Sequence, residues 1–325
     1  MFSLLGKQLS KAIGCERKTM PRPVKQWASV LIFFSLFILF QVYGQDIVFK
    51  FKQPDKLAYT QTLKTIKNKT AETGESQVDS TISEVLISVN KTDSGYSITA
   101  TPSSMKMYRN GQLIESPIVS ILNNLIVTYQ VDNHGQLLDI IGYDQFLSEI
   151  EKTMPSQVLE VLKSVVNKDV IVAKETEEWN GRIGGFAGAT VKLGDTWKDT
   201  TLYQLPSGEA INYYTVTSFD EWVEVSGKKC LKVSFSYSSD PSALAGVIDE
   251  VMSETTKSVG DTVHDIKSSV SELFGSGYRL IDPNTMLIYE EISNRTLKLF
   301  VTSPGQQQMM TSSYEERNYT YNFAN

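Results

Sequence analysis

Residues 231–237 read Leu-Lys-Val-Ser-Phe-Ser-Tyr, and their strict alternation decides the fold class. Leu231, Val233, Phe235 and Tyr237 fall on one side of an extended chain, with Lys232, Ser234 and Ser236 on the other. That is the period-two signature of a half-buried β-strand. The same pattern recurs outward in both directions. Phe49 and Phe51 alternate with Lys50 and Lys52. Val85, Ile87 and Val89 alternate with Ser88 and Asn90, although Leu86 interrupts the polar side. Tyr96, Ile98 and Ala100 follow a turn signal at Lys91–Gly95, and Tyr319, Tyr321 and Phe323 alternate with Thr320 and Asn322. Tyrosine and threonine suit pleated surfaces. Asp-led turns between apolar strand ends, at Tyr129–Leu138 and Tyr278–Leu287, predict two β-hairpins.

Two stretches change period. From Tyr143 to about Trp179, Phe146, Leu147, Ile150 and Met154 recur at helical spacing behind Asp144, a predicted N-cap. Pro155 then opens a second run through Val158, Val161, Leu162 and Val165. From about 240 to 274, Asp240-Pro241 precedes a stripe of Leu244, Val247, Ile248, Val251 and Met252. Beyond Gly260 a further stripe runs through Val263, Ile266, Val270 and Leu273. The expected fold is therefore mainly β (α+β): antiparallel curved sheets, half-barrel-like, with amphipathic helices packed on one face. Its expected regions are 45–190, with helices at about 143–179, and 191–325, with a helical insertion at about 240–274.

Ala28–Phe40 (ASVLIFFSLFILF) decides the compartment. Thirteen uncharged residues are short for a span of about 20, and Arg22 and Lys25 ahead of them complete the pattern of a secretory signal peptide. Val42-Tyr43-Gly44 supplies small or neutral residues before a cleavage that leaves Gln45 first. Residues 1–44 are the expected signal, with Met20 an alternative true start. The other reading is an uncleaved N-terminal helix anchoring the chain in the inner membrane. Cleavage removes six basic residues and one acid, so the chain's 31 basic and 37 acidic side chains become 25 and 36, a net charge of −11. Such a surface repels phosphate backbones, so no nucleic-acid partner is expected. Cys15 leaves with the signal, so Cys230 has no intramolecular disulfide partner, and no cysteine ends the apolar run to take a lipid. An exported periplasmic or extracellular protein without a stable membrane span is expected.

No stretch carries the chemistry of a known reaction. His134 lies in the turn Asp132–Gly135 and His264 beside Asp265, too few bases and too far apart for a metal site or a triad. Gly181, Gly184, Gly185 and Gly188 lack the following helix and the Lys-Ser/Thr of a phosphate loop, and read as a connection from helices back to a sheet. Asp249-Glu250 and Glu315-Glu316 are adjacent and point apart, as solvated surface. Sequons at Asn68, Asn90, Asn294 and Asn318 are expected to mark exposed turns. No cofactor, metal or catalytic residue is expected.

Three short stretches occur in a suggestive order: Val131–Gly142 (VDNHGQLLDIIG), Leu193–Trp197 (LGDTW) and Gly275–Leu287 (GSGYRLIDPNTML). Together with the export signal and the β-rich body, they resemble a family of exported bacterial envelope proteins that has no assigned activity. The resemblance covers most of Gln45–Asn325. This chain departs from that pattern in lacking a lipobox cysteine and in its 240–274 stretch. More distantly, curved strands with helices on one side are similar to the half-barrel of periplasmic lipoprotein carriers. That resemblance implies an apolar cavity closed by a movable lid, for which Leu244, Val247, Ile248, Val251 and Met252 are the candidates. The expected function is non-enzymatic: binding or carrying an apolar or amphiphilic ligand, a lipid among them. The alternative is an interaction module docking on another envelope protein, and a hydrolase with two distant carboxylates ranks third.

Overall fold

The computed structural model describes residues 44–71, 74–115, 117–153, 168–204, 210–240, 267–303 and 306–323. The chain divides into two units, Met1–Gln45 and Asp46–Asn325, and the second is the one described below. The expected export signal, the expected second helical run from Pro155, His264 and the lid candidates Leu244, Val247, Ile248, Val251 and Met252 lie outside the described residues, Gly44 excepted.

The strands in chain order are β1 (Ile47–Val48), β2 (Lys56–Ala71), β3 (Ser76–Lys91), β4 (Gly95–Arg109), β5 (Gln112–Ile114), β6 (Val127–Asp132), β7 (Leu137–Ile141), β8 (Thr190–Val191), β9 (Thr196–Gln204), β10 (Ala210–Val225), β11 (Lys228–Ser239), β12 (Lys267–Ile281), β13 (Ile288–Ser303) and β14 (Gln306–Phe323). Among the described residues they form a 12-stranded antiparallel sheet in the order β7-β6-β4-β3-β2-β14-β13-β12-β11-β10-β9, with β5 beside β4, and a two-stranded pair β1-β8. The fold is mainly β, and the large sheet is curved and not closed into a barrel. Its two halves join where β14 pairs with β2, from Thr311↔Ala71 to Phe323↔Tyr59.

Period two sorts the strands as the alternation predicts. Leu231 and Val233 are buried beneath Lys232 and Ser234, and Ile87 and Val89 are buried while the intervening Leu86 is 43% exposed. One face of the sheet thus carries the core: Ile87, Val89, Tyr96, Val131, Phe219, Leu231, Val233 and Ile281. Phe49 and Phe51 pack into it from the chain just after β1, with Phe49 fully buried. Fully burying such a side chain contributes roughly 1.5–3 kcal/mol.

Helices Tyr143–Thr153 and Lys168–Trp179 cover β6 and β7 through Phe146, Ile171 and Val172, packed on Val127, Ile140 and Tyr143. The second runs on into a π-helical turn, Asn180–Gly184. The glycine-bearing connection then delivers Ile183 and Phe186 to the core and returns to β8.

Three expectations need correction. Lys267–Phe274 is the first half of β12, not helix, because β13 pairs along it from Lys267↔Thr302 to Phe274↔Thr296, and β11 joins on the other side at Phe274. The sequons do not mark turns: Asn68, Asn90, Asn294 and Asn318 lie within β2, β3, β13 and β14, where asparagine and threonine populate long strands. Glu315 is not solvated surface. It is buried on the core face, and only Glu316 points the other way.

Candidate functional site

The two predicted hairpin turns form as Asx turns. Asp132 Oδ1 accepts from the backbone of His134 and Gln136, each at 2.8 Å, and Asp282 Oδ1 accepts from Asn284 N at 2.9 Å. His134 is exposed at the tip, and no pair of histidines is brought together among the described residues. There, no three His, Cys, Asp or Glu side chains gather to hold a metal ion. Leu193–Trp197 is a tight turn that aims Trp197 into the core, 4.8 Å from Phe219 and stacked at 5.8 Å on Phe186. Asp195 holds that turn by accepting from Lys192 N at 2.8 Å. Gly275 and Gly277 face Tyr237 and Phe235 directly across β11 and β12. In all three motif stretches these residues make turns or close cross-strand packing.

Two other places carry chemistry. The first is an open cleft of about 680 Å³ at the β7 end of the sheet, between the short helix Pro117–Leu122 and the helix Tyr143–Thr153. Ile121, Leu125, Ile126 and Phe146 give it apolar walls; Asn124, Gln145 and Glu149 are polar. Gly142 shapes its floor. Its φ is +120°, and a β-carbon added there would lie only 2.1 Å from Ile126 O, so the position excludes any side chain. Nearby, Leu138 and Ile141 on edge strand β7 are 60% and 52% exposed.

The second is a charged field on the core face, beyond the aromatic core. Cross-strand register places Arg279 beside Glu291, and Glu291 beside Tyr319. Arg182, on the π-helical turn, approaches the same carboxylate. Its Nε lies 3.1 Å from Glu291 Oε2, and its Nη2 donates to the Tyr321 hydroxyl at 2.5 Å. Arg279 Nη2 is 3.7 Å from Glu291 Oε1, and its Nη1 donates to Gly181 O at 2.6 Å. Each guanidinium also lies on a ring, Arg182 on Tyr319 at 4.9 Å and Arg279 on Phe235 at 4.7 Å. Burial works to raise the Glu291 pKa, but Arg182 and Arg279 outweigh it and hold the carboxyl below its usual range. Burial also pulls the Arg279 pKa down, only partly offset by Glu291.

Farther along the same face, Arg295, Glu315, Lys67, Asp79 and Arg109 stand in one row across β13, β14, β2, β3 and β4. The signs alternate along the row. Opposite charges directly across a ladder are mutually stabilising. The contacts are Arg295–Glu315 at 3.2 Å, Lys67–Glu315 at 3.8 Å and Arg109–Asp79 at 3.1 Å. Single-strand periodicity does not reveal this row. Its only local trace is Glu315 and Arg317, two apart and hence on one face.

No protein family matches the chain, and no curated protein matches it. Among solved structures, one described as lipid–protein interactions in lipovitellin is similar over 84% of this chain, at 10% identity and a TM-score of 0.43. The chain spans 25% of that structure's length. Among the described residues, no helix is long and apolar enough to cross a membrane.

Proposed function

We propose that the protein is a non-enzymatic binder of an apolar or amphiphilic ligand, exported to the cell envelope. The observation that supports this is the cleft at Phe146. Its volume of about 680 Å³ lies within the roughly 300–1,000 Å³ of ordinary ligand sites. It pairs aliphatic and aromatic walls with a few polar groups, the lining that suits an amphiphile. The lid role of Leu244, Val247, Ile248, Val251 and Met252 is part of the same reading.

Native mass spectrometry of the protein purified without detergent tests it. The expected result is added mass that organic extraction removes as lipid, and its loss in Phe146→Asp. A clean apo mass that survives incubation with membrane lipids overturns the reading.

A second reading, docking on another envelope protein, is favoured by the exposure of Leu138, Ile141 and Ile126 at one sheet edge. In that case no lipid is carried, and crosslinking in the envelope joins β7 to a protein partner.

A further inference from the structure

Within the charged row, Glu315 differs from Asp79 in how tightly cations crowd it. Arg317 lies two residues along the same strand and on the same face, and its Nε approaches Glu315 Oε1 at 2.6 Å. Arg295 Nη2 is 3.2 Å from Oε2 and Lys67 Nζ is 3.8 Å from it. Three cations thus converge on one carboxylate that is only 8% exposed. One negative charge cannot balance them, so the spot is locally cationic in an otherwise acidic chain. The next acids are Asp79, across from Lys67 and itself paired with Lys69 and Arg109, Glu291, which already serves Arg182 and Arg279, and Glu178 and Glu177 on the helix Lys168–Trp179.

Donor accounting points the same way. A guanidinium carries five N–H donors. Arg295 and Arg317 each give one to Glu315, and among the described residues neither guanidinium makes another hydrogen bond. Both are more than a third exposed, at 43% and 37%. Beside them is a cavity of about 80 Å³, lined by Tyr213, Tyr237, Ser293, Arg295 and Arg317 around Glu315. The two tyrosine rings stack at 5.1 Å and form one wall of it. Tyr237 spends its hydroxyl on Asn294 O at 3.1 Å, leaving the guanidinia as the strong donors. The space admits several waters but is well below the roughly 300 Å³ of a pocket for a whole organic ligand.

We propose that this cavity is an oxyanion site, where Arg295 and Arg317 take a carboxylate or phosphate group while Glu315 holds their guanidinia in place. Charge-assisted, fork-shaped recognition of such groups is what arginine does best. The site is separate from the Phe146 cleft and stands without it. Its occupant is either a free small anion or the head group of an amphiphile whose tail lies elsewhere.

Calorimetric titration of the full chain with inorganic phosphate, decyl phosphate and decanol tests the proposal and separates the sources. Arg295→Gln and Arg317→Gln each leave Glu315 two cations, so the sheet is kept, as circular dichroism will check. Each variant is expected to weaken phosphate binding at least ~10-fold, in line with loss of a charge-assisted bond. Equal affinity for phosphate and decyl phosphate, both lost in the arginine variants, identifies a free-anion site. Tighter binding of decyl phosphate, again lost in those variants, identifies a head-group site. No phosphate binding, or binding indifferent to both arginines, overturns the proposal. Decyl phosphate and decanol that bind the arginine variants normally but not Phe146→Asp overturn it too, and leave the cleft reading standing.

Discussion

Glu291→Gln is the most informative single change to the fold. The carboxylate is buried between Arg182 and Arg279, at 3.1 and 3.7 Å, and ties the π-helical turn to β12 and β13. The amide keeps the shape and removes the charge, leaving two guanidinia packed together without a counter-ion. Removing one partner of a buried pair costs about 3–5 kcal/mol, and here one acid serves two bases, which places the loss toward the upper end. For a chain of this size that is a fall in Tm of roughly 6 °C or more. The pH dependence follows from the depressed Glu291 pKa. A carboxylate with a folded pKa below its unfolded value of about 4.3 stabilises above that value, and the contribution is lost as pH falls through the folded pKa. Urea unfolding followed by tryptophan fluorescence should therefore show the full deficit of Glu291→Gln at pH 7. The gap to the parent protein should narrow below about pH 4. A deficit under about 1 kcal/mol at pH 7 would place the pair with exposed ion pairs and refute the reasoning, as would a deficit that stays constant down to pH 3.

Two further outcomes are expected from the interior. At Gly277 an added β-carbon meets Ile292 O at 2.3 Å and Phe235 Cζ at 2.7 Å, and the backbone oxygen cannot yield without shifting β13. Gly277→Ala should cost about 1–3 kcal/mol in denaturant unfolding; a neutral result would mean that Phe235 does not lie across β12. Burial, reinforced by Asp282, pushes the Cys230 thiol up to about 11. At pH 8 it is ~0.1% thiolate, against roughly a quarter for an unperturbed thiol. A disulfide reagent should label the native protein at least ~100-fold more slowly than the urea-unfolded chain, and comparable rates would contradict this burial.

Local periodicity made the strand faces legible because burial on one side of a pleat writes itself into alternate residues. Leu231 to Tyr237 and Val85 to Val89 are sorted as their alternation predicts. The joining of the two halves was not legible. Tyr59 meets Phe323 across β2 and β14, and no window of sequence contains both. β12 misled for a related reason: Val270 and Leu273 match a helical spacing, and only the pairing with β13, distant in sequence from both, favours extension. The cue was the Gly-Ser-Gly at 275–277, poor in a helix and suited to lying beneath Phe235 and Tyr237. The charged row was hidden most deeply, since each strand contributes one or two charges that look like ordinary surface.

That row also bears on why the strands are so long. Strands β2–β4 and β10–β14 run 12–18 residues, or about 40–60 Å at 3.4 Å per residue. The aromatic core occupies only part of that length. Beyond it the core face carries Arg295, Arg317, Lys67 and Glu315 rather than leucine and valine. Ion pairs with a partner this exposed add little to stability, about 0–1 kcal/mol each, and Arg295 and Arg317 are 43% and 37% exposed. Stability alone therefore gives no reason to place three cations on one buried carboxylate, whereas a site for an incoming anion does. Removing the acid separates the two accounts: if the cations serve only to neutralise Glu315, the parent protein binds no phosphate, and Glu315→Gln, which leaves three cations uncompensated, gains that binding. If they serve a ligand and Glu315 positions them, the parent protein already binds phosphate, and Glu315→Gln, which releases the guanidinia from their anchor, should bind it no more tightly.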